Sequence, residues 1–204
     1  MIITRIEPVT KAKYKVYVEE QFAFVLYKGE LSRFHLKEEG EISEETIRRI
    51  KEEVLVKRAK LRAMHLLESM ARTEEQLRRK LLQGGCPEDV AEEAINYVKS
   101  FGYINDEAYI RSFIESRKDK KSRREICALL GQKGVKGEAV DRILSEIYEE
   151  HSDKEAIREL LRKKRYDPET ADDRERQKIY GYLVRKGFRY EDIRQVIQVS
   201  SWNA

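Results

Sequence analysis

The sequence predicts a mainly α fold, an elongated array of three tandem three-helix repeats, carrying a small N-terminal β-hairpin or ribbon. Three observations lead there. First, segments beginning at Glu74, Arg124 and Arg176 superimpose: EEQLRRKLLQGGCPEDVAEEAINYV, REICALLGQKGVKGEAVDRILSEI and RQKIYGYLVRKGFRYEDIRQVIQV. Second, only residues 1 to about 36 depart from helical periodicity, and there β-branched and aromatic residues alternate with polar ones. Third, 39% of the 204 residues are charged and 40% hydrophobic, against a usual charged share of about 25%. That balance suits thin helical layers, each burying one stripe, better than one thick core.

The elements follow in order. Ile2 to Ile6, then Tyr14, Val16 and Val18 alternating with Lys15 and Tyr17, then Phe22 to Tyr27 after Glu19-Glu20-Gln21, read as two or three antiparallel strands. So small a ribbon is barely stable alone; it must cover the first helix or serve as an arm. Gly40 ends the irregular stretch. Ser43 is placed to cap a helix whose first turn holds Glu44 and Glu45, where acids suit the helix dipole.

In the repeats, Leu77, Ile126 and Ile179 correspond, as do Leu81, Leu130 and Leu183. Gly85, Gly134 and Gly187 follow, 49 and then 53 residues apart, and then Cys86, Val135 and Phe188. An apolar pair four residues apart, closed by a glycine and another apolar residue, is the pattern of a helix ended by a left-handed C′ glycine. Ala91, Val140 and Ile193 start the third helices. Ala59 with Ala63, Ala108 with Ser112, and Ala156 with Leu160 are matched as the first helices, and Asp167-Pro168 reads as a turn that absorbs the longer third spacing. The stretch SFGYINDEAY joins two repeats: Phe101 completes an apolar stripe, Gly102 takes the C′ position and Tyr103 and Ile104 pack across the bend. Asn105 caps the next helix, with Asp106 and Glu107 in its first turn. The expected organisation is residues 1–42 as the β-rich extension, 43–104 as the first repeat with a lead-in helix, and 105–151 and 152–204 as the second and third repeats.

Chemistry is sparse. Cys86 and Cys127 form no CxxC or Cys/His pair, which argues against zinc and against a disulfide in a cytosolic chain. Cys86 reads as a small buried hydrophobe. His35, His65 and His151 stand alone, as surface or packing residues. The glycine turns follow no strand and match no phosphate-cradling motif. No catalytic residue, cofactor or metal is expected. No apolar run approaches the roughly 20 residues of a membrane span, and the first residues lack a signal peptide's apolar core, so a cytoplasmic protein without membrane contact is expected.

The net charge is only +4, but the cations recur at equivalent places on the second helices. The partner-binding candidates are Arg78 and Arg79 in the first repeat and Arg123 and Arg124 in the second. The third supplies Lys163, Lys164, Arg174, Arg176, Arg185 and Lys186. Stacked repeats would line them into a basic strip for nucleic acid or an acidic protein groove, whereas interleaved Glu and Asp would make it an ordinary ion-paired surface. A helix-turn-helix reader would place each third helix in the major groove; Glu92, Glu93, Glu138 and Asp141 give those helices the wrong sign.

At RTEEQLRRKLLQGG, FGYINDEAY, RQKIYGYLVRKGFRYEDI and the leading ITRIEP…YKVYV, in that order, the chain resembles the RecX family. In that family's junction an Asp often stands where Asn105 does; Asn keeps the capping role. The resemblance implies a non-enzymatic, monomeric regulator of the RecA recombinase, active in DNA repair, homologous recombination and the SOS response. It would bind the groove of the RecA–DNA filament and modulate, mostly inhibit, ATP hydrolysis, strand exchange and co-protease activity. Weak contact with single- or double-stranded DNA phosphates would accompany this. A stand-alone helical DNA-binding module and a generic helical scaffold are the alternatives.

Overall fold

The computed structural model describes residues 1–150 and 153–199, and its contacts divide it into two compact units, Met1–Asn105 and Asp106–Ala204.

The first unit opens with an antiparallel meander, β1 (Ile3–Pro8), β2 (Lys13–Val18) and β3 (Gln21–Tyr27), in the order β1-β2-β3. Val16 stands opposite Ile6 on one side and Phe24 on the other. The β2–β3 turn places Glu19 and Glu20 at φ 49° and 64°, the left-handed pair a tight hairpin requires. Both are tied to the start of the chain: Glu19 Oε1 accepts the N–H of Ile2, just before β1, at 2.6 Å, and the Glu20 N–H donates to Thr4 Oγ1 of β1 at 3.1 Å. The ribbon is no free arm. Ile3, Val16, Val18, Phe24 and Leu26 belong to the same core as the helices that follow.

A six-residue helix, α1 (Lys28–Arg33), follows β3 directly and was not expected from the sequence. Six residues containing Gly29 are too few to show a 3.6-residue period. Ser43 caps α2 (Glu44–Ile50) as expected, its Oγ accepting the Thr46 N–H at 3.1 Å. Instead of ending, α2 runs through a π-helical turn at Lys51–Leu55 into α3 (Val56–Ser69). The wider turn keeps Ile50, Val54, Leu55 and Val56 all on the buried side. α4 (Glu74–Gln83) and α5 (Glu88–Ser100) complete the unit.

The second unit holds α6 (Asp106–Glu115), α7 (Arg123–Gln132) and α8 (Glu138–Glu150), then α9 (Asp153–Lys163), α10 (Asp173–Arg185) and α11 (Tyr190–Val199). One core runs from Ile110 to Ile147 and another from Ala156 to Ile197, so each helical triplet has its own.

The repeat is physically exact at the glycines. Gly85, Gly134 and Gly187 have φ 80°, 86° and 83°. In each turn the next N–H reaches back to the second apolar residue: Cys86 to Leu81 at 3.2 Å, Val135 to Leu130 at 3.2 Å and Phe188 to Leu183 at 3.3 Å. These are Schellman bonds, which satisfy carbonyls that the helix end leaves open. The paired stripe residues are all buried, and Ala91, Val140 and Ile193 with them. Cys86 is only half-buried, and burial still pushes its thiol up to about 11.

Two expectations about packing are corrected. Ala108 and Ser112 are exposed, while Ile110, Phe113 and Ile114 form the buried stripe of α6. The links between first and second helices lengthen from residues 70–73 to 116–122 to 164–172, so the glycine spacing does not carry back to the first helices. Gly102 takes φ 72° and the Tyr103 N–H bonds Val98 O at 3.1 Å, as expected. Phe101, however, completes no buried stripe. It is exposed, between Tyr97 at 5.0 Å and Tyr103 at 5.8 Å, and only Ile104 is buried at that bend. His65 is exposed, 3.7 Å from Glu68, and His35 closes α1 at φ 52°; His151 lies outside the described residues.

Candidate functional site

The second helices α4, α7 and α10 start from equivalent caps. The side chains of Thr73, Ser122 and Asp172 accept the N–H groups of Gln76, Glu125 and Glu175 at 3.2, 3.1 and 2.7 Å. Thr73 and Ser122 are fully buried. Ser122 Oγ also donates to the Lys186 carbonyl at 2.9 Å, joining the cap of the second repeat to the glycine turn of the third.

The candidate cations on and around these helices have different surroundings. Arg78 is 23% exposed and bonds Glu92, with Glu74 at 3.0 Å and Glu75 at 3.9 Å. The Glu92 bond comes first among the causes that push its guanidinium pKa further up. Glu74 is in turn held below the usual carboxylate range, first by Lys99 at 2.7 Å. Arg79 is more open but bonds Glu75 at 2.7 Å. On α5, Glu93 bonds Lys60 at 2.8 Å. The first repeat therefore neutralises its predicted pair internally.

Arg123 and Arg124 form one wall of a cavity of about 620 Å³ within the second unit, facing Lys154, Arg189, Asp153 and Asp192. Asp153 Oδ1 accepts the Arg123 backbone N–H at 3.0 Å, and Arg123 Nη2 lies 3.3 Å from Ser145 Oγ. Burial raises the Asp153 carboxyl and the Cys127 thiol, and raises the Tyr148 phenol further. Lys154 and Arg189 were not singled out from the sequence. Their one signal is position, at the start of a first helix and two residues past a repeat glycine.

In the third repeat, Lys164 and Arg185 meet Arg165 and Lys178 around a cavity of about 600 Å³ that also holds Asp167 and Glu175. Lys164 and Lys186 share one aromatic ring, at 4.5 and 5.5 Å from the Tyr182 centroid. Lys163 bonds Glu159 at 2.9 Å, a carboxylate that Arg162 first and then Lys163 hold down to about 2. Arg176 donates to Pro168 O at 3.4 Å; Arg174 is exposed at the start of α10. Among the described residues, Arg123, Arg124, Lys164, Arg174, Arg176, Arg185 and Lys186 make no ion pair within 4.0 Å, whereas Arg78, Arg79 and Lys163 do. No described helix is long and apolar enough to cross a membrane.

Comparison with known proteins bears on what these surfaces serve. The model of the RecX first three-helix domain matches residues 59–97, and that of the RecX third three-helix domain matches residues 152–197. Regulatory protein RecX of Caldanaerobacter subterraneus subsp. tengcongensis is 32% identical over 202 residues, covering 98% of this chain and all of its own. That of Clostridioides difficile is 28% identical, covering 96% and 94%. A crystal structure of regulatory protein RecX superimposes with TM-score 0.62 at 26% identity, over 96% of this chain and 98% of that one. The repeat architecture, its glycine turns and this full-length likeness agree: the chain belongs to the RecX family of regulatory proteins.

Proposed function

We propose that this chain is a non-enzymatic, monomeric, cytoplasmic regulator of the RecA recombinase that binds the RecA–DNA filament along its helical groove. There it modulates, mostly inhibits, ATP hydrolysis, strand exchange and co-protease activity. The observation that carries the reading is the likeness, over nearly the whole chain, to relatives named regulatory protein RecX. The cations left without carboxylate partners in the second unit support it, because phosphate or acidic protein surfaces are what unneutralised guanidinium and ammonium groups attract. Such contacts position a protein without reading base sequence.

The test mixes the protein with preformed RecA filaments and follows ATP turnover and strand exchange. Both should fall at stoichiometric protein, and no change in either overturns the reading. Charge reversal at Arg124, Arg174 and Arg185 should weaken the effect; unchanged partner binding would leave a generic scaffold. The same unpaired cations favour a second reading, a helical module that grips DNA phosphates unaided. It requires tight, strongly salt-dependent DNA binding with no recombinase present.

A further inference from the structure

In the first unit, between the sheet and the helices, lies a cavity of about 390 Å³, within the range of about 300–1,000 Å³ usual for small-ligand sites. Four cations from three elements line it: Lys13 of β2, Arg58 and Arg62 of α3, and Lys80 of α4. No carboxylate is among its lining residues, unlike the two cavities of the second unit, each of which holds two. Of two neighbouring acids, Asp89 bonds Lys51 outside the wall at 2.6 Å, whereas Glu30 bonds Arg58 at 3.0 Å and so neutralises one of the four. Lys13, Arg62 and Lys80 make no ion pair within 4.0 Å among the described residues. Three unpaired cations, from β2, α3 and α4, therefore converge on one concavity whose lining holds no carboxylate.

The site is also preformed. Arg58 Nη2 donates to Val25 O at 2.5 Å, fixing α3 to β3. A Cβ on Gly85 would lie 2.5 Å from Val25 Cγ2, so the turn behind Leu81 sits directly on the sheet. Cys86, in the same wall, has its thiol raised to about 11 and so stays neutral at pH 7, adding no charge against the cations. The rest of the wall is apolar, from Leu55, Ala59 and Leu81, beside the exposed ring of Tyr27.

We propose that this cavity binds a nucleotide through its phosphate, with the apolar wall and Tyr27 against the sugar and base. The phosphate belongs either to a free nucleoside triphosphate or to a single strand. A phosphate places its charge in one compact group, which is what converging cations in a small concavity require. An acidic peptide spreads its charge along an extended chain. The proposal does not depend on the recombinase reading, and its test contains no recombinase.

The full chain carrying Cys127→Ser is titrated with a fluorescent ATP analogue and, separately, with labelled oligothymidylate, while alkylation of Cys86 reports occupancy of the cavity. At least one probe should slow Cys86 labelling several-fold: the analogue alone identifies a free nucleotide, the oligonucleotide a strand. Arg62→Gln with Lys80→Gln removes two exposed cations without ion partners, so folding should be unchanged. It should abolish the protection and, for the strand, lower the salt slope by about 1.4, at about 0.7 per phosphate. The charge-matched pair Lys57→Gln and Lys120→Gln, outside the wall, should leave protection intact. Protection by neither probe, protection surviving in the Arg62/Lys80 variant, or equal loss in the control overturns the proposal.

Discussion

Gly187→Ala probes how the second and third repeats are locked together. The glycine has φ 83°, and an added Cβ would sit 2.7 Å from Ser122 Oγ. The backbone alone costs an L-residue about 1–2 kcal/mol there. The clash adds to that, because Ser122 Oγ is not free to move. It accepts the Glu125 N–H at 3.1 Å as the cap of α7 and donates to Lys186 O at 2.9 Å. Displacing it forfeits a cap worth about 0.5–2 kcal/mol and a hydrogen bond worth about 0.5–1.5 kcal/mol. A loss of roughly 2–5 kcal/mol is therefore expected. Gly102→Ala supplies the control, since Gly102 has φ 72° with nothing within 4 Å of the added Cβ; it should lose only the backbone part. Urea unfolding at constant m-value measures both. In a Ser122→Ala background the clash is gone, so Gly187→Ala should then cost no more than Gly102→Ala, a coupling of about 1–3 kcal/mol within the range for residues in contact. Equal losses at Gly187 and Gly102 in the parent chain, or zero coupling, would refute the reasoning.

Further outcomes follow from the same structure. Ile110→Ala should destabilise by about 2–5 kcal/mol as a core truncation, while Ser112→Ala, on the exposed side of α6, should stay within about 0.5 kcal/mol; denaturant midpoints distinguish them. Burial raises the Asp153 carboxyl pKa, so the ionised acid destabilises the fold. That penalty is absent below the ordinary value of 3.8 and grows as pH rises through the folded pKa. Asp153→Asn keeps an acceptor for the Arg123 N–H and should raise Tm at pH 7 while leaving it nearly unchanged at pH 3, as thermal melts at the two pH values will show. Arg78→Ala breaks three ion pairs of a mostly buried guanidinium and should lower the denaturant midpoint clearly. Arg79→Ala breaks one exposed pair and should cost about 0–1 kcal/mol.

What the sequence determined by itself is what is local. A left-handed C′ glycine, the apolar residues four and eight positions before it and one after, and a serine before two glutamates each act within two or three turns. Gly85, Gly134, Gly187 and Ser43 accordingly stand as read. So do the three β-prone runs, because alternation is a nearest-neighbour property. Short or interrupted periods were not legible: α1 is six residues long, and the π-helical turn shifts the stripe between Ile50 and Val56 without a break in composition. The stripe of α6 was misplaced because the links from first to second helices differ in length, which no repeat of glycines reveals.

Which cations are free was decided only by tertiary structure. Arg78 and Lys80 lie two residues apart on one helix, yet one meets Glu92 and the other faces Lys13, Arg58 and Arg62 across a cavity. Neighbours in sequence share a helix, but charge is neutralised or concentrated by what the opposite element brings. That depends on contacts between residues tens of positions apart, which packing alone sets.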